Sequence, residues 1–108
     1  AILYSGKNDL MAVRDILSAG LKHFPDQAAL NYYMGLNEGM LEQTDLQQEY
    51  LQRAYELQPS NSRYAYNYIL TLYQSGQKVL ANKELEKALR MQPDNSRLLE
   101  LRTYFTQN

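Results

Sequence analysis

Residues 57–61 read LQPSN; thirty-four positions later residues 91–95 read MQPDN, and thirty-four positions earlier residues 23–27 read HFPDQ. Each stretch carries one of the three prolines, Pro25, Pro59 and Pro93. The chain ahead of each proline repeats as well. Leu17/Gly20, Leu51/Ala54 and Leu85/Ala88 set a leucine and a small residue at constant distance before it. Proline lacks a backbone N–H and disfavours helix in the residue before it, so each of these runs must stop there. A fixed period of this length marks stacked supersecondary units rather than one closed core.

The third unit is the most regular. Asn61 or Ser60 can cap a helix whose apolar residues Tyr64, Ala65, Tyr68, Ile69 and Leu72 recur at helical spacing. Gly76 within QSGQ accepts positive φ and ends it. A second helix is predicted over residues 78–91, with Leu80, Ala81, Leu85, Ala88 and Leu89 on one face; Asp94 or Asn95 caps the next. The second unit copies this plan. Asp26 is read as the cap of a helix carrying Leu30, Tyr33 and Met34. The turn EQTD follows, and a helix to about Leu57 turns Leu46, Tyr50, Leu51, Ala54 and Tyr55 inward. The first unit is cut. Its second helix is predicted over residues 9–24, with residues 6–8 as the turn and Ile2 to Tyr4 as the remnant of a first helix. The opening AILYSG falls in mid-pattern, as expected of part of a longer repeat protein. A last helix over residues 95–106 carries Leu98, Leu99, Leu101 and Phe105.

Composition narrows the chemistry. Eleven Lys and Arg balance twelve Asp and Glu, a net charge of −1, with no basic stripe to attract nucleic acid or anionic lipid. No apolar run approaches the roughly 20 residues of a membrane span. Without cysteine there is no disulfide, thiol nucleophile or thiolate metal site. His23 is the only histidine, at a predicted helix end where its charge suits the dipole. The carboxylates Glu84 and Glu86 lie among Lys83, Lys87 and Arg90, the pattern of a solvated helix face. Gly35, Gly39 and Gly76 lack the spacing of a phosphate cradle. The expectation is a chain with no catalytic residue, no metal site and no cofactor.

The pattern resembles the tetratricopeptide repeat family, whose 34-residue motif sets Leu-Gly and Tyr in one helix and Ala, Phe, Ala and Pro in the next. The third unit shows Ala65, Tyr68-Ile69 and Leu72, then Ala81, Leu85, Ala88 and Pro93. The second shows Met34-Gly35, Leu51, Ala54 and Pro59; the first retains Tyr4, Val13, Leu17, Gly20 and Pro25. Asn31, Glu38 and Gln47 depart from the motif, being polar where the family packs apolar or small groups. Those groups must find hydrogen bonds, or the second unit is the loosest. The resemblance implies an all-α fold, a right-handed α-solenoid of stacked antiparallel helix pairs. One domain over residues 1–108 would comprise a truncated repeat at 1–27, repeats at 28–61 and 62–95, and a capping helix at 96–108.

In this family the first helix of each unit lines a concave groove. That plan puts Arg63, Tyr66, Asn67, Leu70 and Tyr73 of the third unit there. It adds Tyr32, Tyr33 and Leu36 from the second and Arg97 and Tyr104 from the last helix. Tyrosine offers large contact area with few rotors and a polar tip, which suits recognition. One subclass grips the carboxylate tail of heat-shock chaperones with a Lys, Asn, Asn, Lys, Arg clamp. Only Asn67 and Arg97 (or Arg63) fall at such places, and the other slots hold Tyr32, Leu36 and Leu101. The implied function is a non-enzymatic protein-interaction module that binds a peptide segment in a tyrosine-rich groove. Three alternatives stay open. They are a scaffold that self-assembles through its amino-terminal end, a glycan-binding groove, and a regulatory appendage of an upstream enzyme. The expected partners are a protein or peptide, with a homo-oligomer through the amino-terminal end as a further possibility, and neither nucleic acid nor an inserted membrane.

Overall fold

The three proline turns share one hydrogen-bond pattern in the computed structural model, which describes residues 6–107. The N–H groups of Gln27, Asn61 and Asn95 donate to the carbonyls of Phe24, Gln58 and Gln92 at 3.2, 3.0 and 3.2 Å. Those same three residues then accept, through their own carbonyls, the first helical bonds from Asn31, Ala65 and Leu99. The sequence period is therefore a period of backbone hydrogen bonding. The residue two after each proline falls at the N-cap. Asn61 fills it well, its side chain accepting from the N–H groups of Arg63 and Tyr64, and Asn95 accepts from Leu98. In the first of these turns Asp26 stands one residue too early to cap. Gln27 occupies the position without a side-chain cap bond, correcting the expected assignment.

Among the described residues the chain is all-α, with six helices and no strand. The molecule divides into two units, residues 1–57 and 58–108. In the first, α1 (Lys7–His23), α2 (Ala28–Met40) and α3 (Thr44–Leu57) follow one another; in the second, α4 (Ser62–Gln74), α5 (Lys78–Met91) and α6 (Ser96–Gln107) do. Helix α1 starts ahead of its expected first residue, because residues 7 and 8, read as a turn, are helical. Asp9 in its first turn favours a helix start through the dipole. The remnant helix expected over Ile2 to Tyr4 lies outside the described residues.

In the first unit α2 and α3 run antiparallel, since Gly35 lies opposite Leu51 and Gly39 opposite Gln47. A methyl on Gly35 would meet Leu51 side-chain carbons at 2.8 Å and its backbone nitrogen at 3.2 Å, so the close approach depends on that glycine. The core here is Met34, Leu51, Ala54 and Tyr55. The buried polar residues Asn31, Asn37 and Glu38 all have partners. Glu38 forms a two-pronged ion pair with Arg14 of α1 at 2.6 and 2.8 Å. The Nδ2 of Asn31 donates to the carbonyls of Pro25 and Gln27, and that of Asn37 to Leu10. Of the three positions that break the motif, Asn31 and Glu38 are thus buried with hydrogen bonds, as burial of polar groups requires.

The second unit closes around Ala65, Ile69, Leu72, Ala81, Leu85, Leu98 and Leu101. Helix α6 covers α4 and α5. Its Phe105 ring stacks on Tyr73 at 4.0 Å between centroids and 5° between planes. Gln92 Nε2 donates to the Ser60 carbonyl, tying the two proline turns of this unit together.

Helices α2 and α4 end the same way. Gly76 N–H donates to Tyr73 and Gln77 N–H to Leu72; Glu42 N–H donates to Gly39 and Gln43 N–H to Glu38. This is the Schellman arrangement, which needs one residue in the left-handed region. Gly76 holds it at φ 92° and Glu42, its counterpart one period earlier, at φ 62°.

Candidate functional site

The ten residues expected to line the groove fall in both units. In the first, Tyr32, expected in the groove, lies inside instead: it is 6% exposed and meets Tyr33 edge-to-face at 5.4 Å. Tyr33 itself is 52% exposed. With Leu36 it lines a wide cleft of about 900 Å³ between α1 and α2, whose other walls are Asp9, Leu10, Val13, Leu17, Asn37 and Met40.

In the second unit the helical period turns Tyr66, Leu70 and Gln74 of α4 to one side, at spacings of four. Glu100, Leu101 and Tyr104 of α6 face them across a cleft of about 320 Å³. The Arg97 guanidinium lies 5.4 Å from the centre of the Tyr66 ring, a cation–π contact that fixes the ring at the rim. Asn67 Nδ2 donates to the Arg63 carbonyl one turn back, and Arg63 is exposed.

Tyr73 was expected in this surface, but the structure places it inside. It is 7% exposed, stacked on Phe105, with its hydroxyl donating to the Phe105 carbonyl at 3.3 Å. The Lys78 ammonium sits 5.2 Å from its ring centre. Heptad spacing put Tyr66 and Tyr73 on one side of α4; α6 then covers one and leaves the other at the rim. The structure thus brings together Tyr66, Leu70, Tyr104 and Arg97.

Sequence reasoning missed the Arg14–Glu38 pair. Its signal was present, for an acidic residue at an apolar slot of α2 needs a cation, and Arg14 on α1 is the residue that answers. The hydrogen bond to Glu38 makes Arg14 hold its proton still more tightly than usual, outweighing the opposing effect of desolvation. Among the described residues no cluster of His, Cys, Asp or Glu could hold a metal ion. No described helix is long and apolar enough to cross a membrane.

No family model and no curated protein matches the sequence. Solved structures do. The Thermobaculum terrenum O-GlcNAc transferase matches with a TM-score of 0.67 and 30% identity over 83% of this chain. The chain spans only 17% of that transferase. The first tetratricopeptide domain of Spaghetti (RPAP3), bound to the HSP90 peptide SRMEEVD, matches with a TM-score of 0.76 over 94% of this chain and 80% of its own, at 15% identity. With the 34-residue period, the paired helices and these likenesses together, the chain is a tetratricopeptide-like helical repeat protein.

Proposed function

We propose that this chain is a protein-interaction module that holds a peptide segment of a partner against the exposed faces of its first helices. Its repeats run 28–61 and 62–95, followed by the capping segment 96–108. The observation that carries this reading is the cleft of Tyr66, Leu70, Gln74, Glu100, Leu101 and Tyr104. Two tyrosines at an open cleft give ring surface with polar tips, and Arg97 adds a cation at the edge. Aromatic and Arg anchors of this kind carry most of an interface's energy. The volume suits one or two side chains of an extended ligand, with the rest of the peptide lying outside.

The peptide-bound relative shows that such a fold can hold a peptide; its ligand is acidic and is that protein's own. The cleft here is lined by neither lysine nor arginine, it contains Glu100, and Arg97 lies at its edge over the Tyr66 ring. These features favour a ligand read by ring contacts over one read by its terminal carboxylate.

The test starts from a displayed random-peptide library selected on the chain. The affinity of the selected peptide is then compared for the parent, Tyr66→Ala and Tyr104→Ala. The expected loss for Tyr66→Ala is about 2 kcal/mol, roughly thirtyfold in Kd, with the thermal midpoint little changed. Selected peptides that bind Tyr66→Ala and Tyr104→Ala as tightly as the parent would move recognition to another face.

A further inference from the structure

Glu100 is the only charged side chain lining the cleft between α4 and α6. It stands four residues before Tyr104 on α6, a spacing that sets the two Cβ atoms about 5–6 Å apart on one helix face. Across the cleft Tyr66, Leu70 and Gln74 fall on successive turns of α4. Leu101 is buried and Leu70 half-buried, so the cleft has an apolar floor. Two rings and one carboxylate stand around it.

The cations of α6 leave that carboxylate unmatched. Among the described residues Glu100 takes part in no ion pair, whereas Glu84 of the same unit has Lys87 at 3.7 Å. Arg97, one turn back from Glu100, lays its guanidinium over the Tyr66 ring, and Arg102 lines another pocket with Glu86, Leu89, Arg90 and Pro93. Three kinds of ligand side chain can then be weighed. An acidic one meets Glu100 and finds no cation in the lining. An apolar one takes Glu100 out of water with nothing to offset the cost. A lysine or arginine lays its alkyl stem on Leu70 and Leu101 and brings its charge to Glu100 beside the Tyr104 ring, where ion pairing and cation–π attraction act together. The Arg97–Tyr66 contact is the same ring chemistry supplied from within the chain.

We propose that the α4/α6 cleft selects a lysine or arginine side chain of the bound peptide, and that Glu100 sets this preference. The proposal rests on the peptide-binding reading and adds to it the charge of the ligand. That charge is opposite to the acidic residues of the peptide held by the Spaghetti domain.

The experiment selects a displayed random-peptide library in parallel on the parent, Glu100→Gln and Glu100→Lys. Peptides from the parent should share a lysine or arginine at one fixed position, those from Glu100→Gln should lose it, and those from Glu100→Lys should carry Asp or Glu there. The tightest parent-selected peptide is then titrated against all three proteins. Its affinity should fall about fivefold on Glu100→Gln and about thirtyfold on Glu100→Lys, with the thermal midpoint unchanged because Glu100 is exposed. Replacing the basic residue of the peptide by a neutral side chain of similar length, norleucine for lysine or citrulline for arginine, should cost the parent the same fivefold and cost Glu100→Gln little more. That non-additivity assigns the contact to this pair. Parent-selected peptides that lack a basic residue, or that bind Glu100→Gln undiminished, yet are weakened by Tyr66→Ala, would overturn this proposal and leave the peptide-binding reading standing. Peptides indifferent to Tyr66→Ala, Tyr104→Ala and Glu100→Lys alike, or a library that yields no binder, would overturn both.

Discussion

Glu42→Gly should stabilise this protein, although it deletes a side chain and puts glycine at a helix end. Glu42 holds φ 62° because the Schellman closure of α2 requires it. An L-residue with a Cβ incurs about 1–2 kcal/mol in that region, and glycine is free of this penalty. Glycine loses more backbone freedom on folding, which returns roughly 0.5–1 kcal/mol of the gain. Removing a carboxylate from the negative end of the α2 dipole adds a few tenths. The net expectation is a gain of about 0.5–1 kcal/mol, a rise of about 2–8 °C in the thermal midpoint for a domain of this size. Glu42→Ala separates the two causes, as it removes the charge and keeps the Cβ. The reciprocal change, Gly76→Ala, is clean because nothing lies within 4 Å of the added methyl, so any loss is conformational. It should cost about 1 kcal/mol. Urea and thermal melts on the four proteins decide the matter. If Glu42→Gly gains nothing over Glu42→Ala while Gly76→Ala costs nothing, the φ argument is wrong.

Ala54→Leu and Ala88→Leu should each destabilise by about 1–3 kcal/mol, since both methyls are fully buried between helices and the sites have no spare room; thermal melts check this. Arg14→Met should destabilise more than the double change Arg14→Met with Glu38→Leu, because the single change strands a buried carboxylate; a double-mutant cycle in urea measures the difference. Tyr73→Ala should cost about 3 kcal/mol through the lost stack on Phe105, and Tyr73→Phe only the hydroxyl's contribution, while Tyr66→Ala should leave the midpoint nearly unmoved.

The fold was legible because the period acts on features that depend on few neighbours. A proline stops a helix whatever surrounds it, and the residue two places on meets the same N–H groups in every repeat. The Leu and Ala pairs read from the spacing, Leu51/Ala54 and Leu85/Ala88, are all buried. Leu17/Gly20 is only half covered, and the start of α1 was misplaced, for one reason: the period describes a repeat with both its helices, and the first repeat shows one among the described residues. Asp26 suits a cap by residue type, but the turn geometry gives the place to Gln27.

The candidate site was legible in part, because a helical period gives the direction of a side chain but not what covers it. Tyr66 and Tyr73 leave α4 on the same side. Seven residues of rise, about 10 Å, carry the second to where Phe105 stacks on it, whereas the first meets Arg97 at an open cleft. Both partners lie about 31 residues on in sequence, and the spacing alone gives no rank between an aromatic that seals a ring and a guanidinium that leaves one face bare. The polar departures in α2 show the converse. Glu38 and Asn31 looked like defects against the repeat pattern, yet each is matched by a group from outside its own helix turn, Arg14 on α1 and the Pro25 carbonyl in the proline turn. A polar residue that finds a single geometric partner fixes how α1 sits on α2 more sharply than interchangeable methyl contacts would. The same packing of α1 on α2 sets Leu10, Val13 and Leu17 of α1 beside Tyr33 and Met40 of α2 along one cleft, and the Arg14–Glu38 pair joins the two helices that form it.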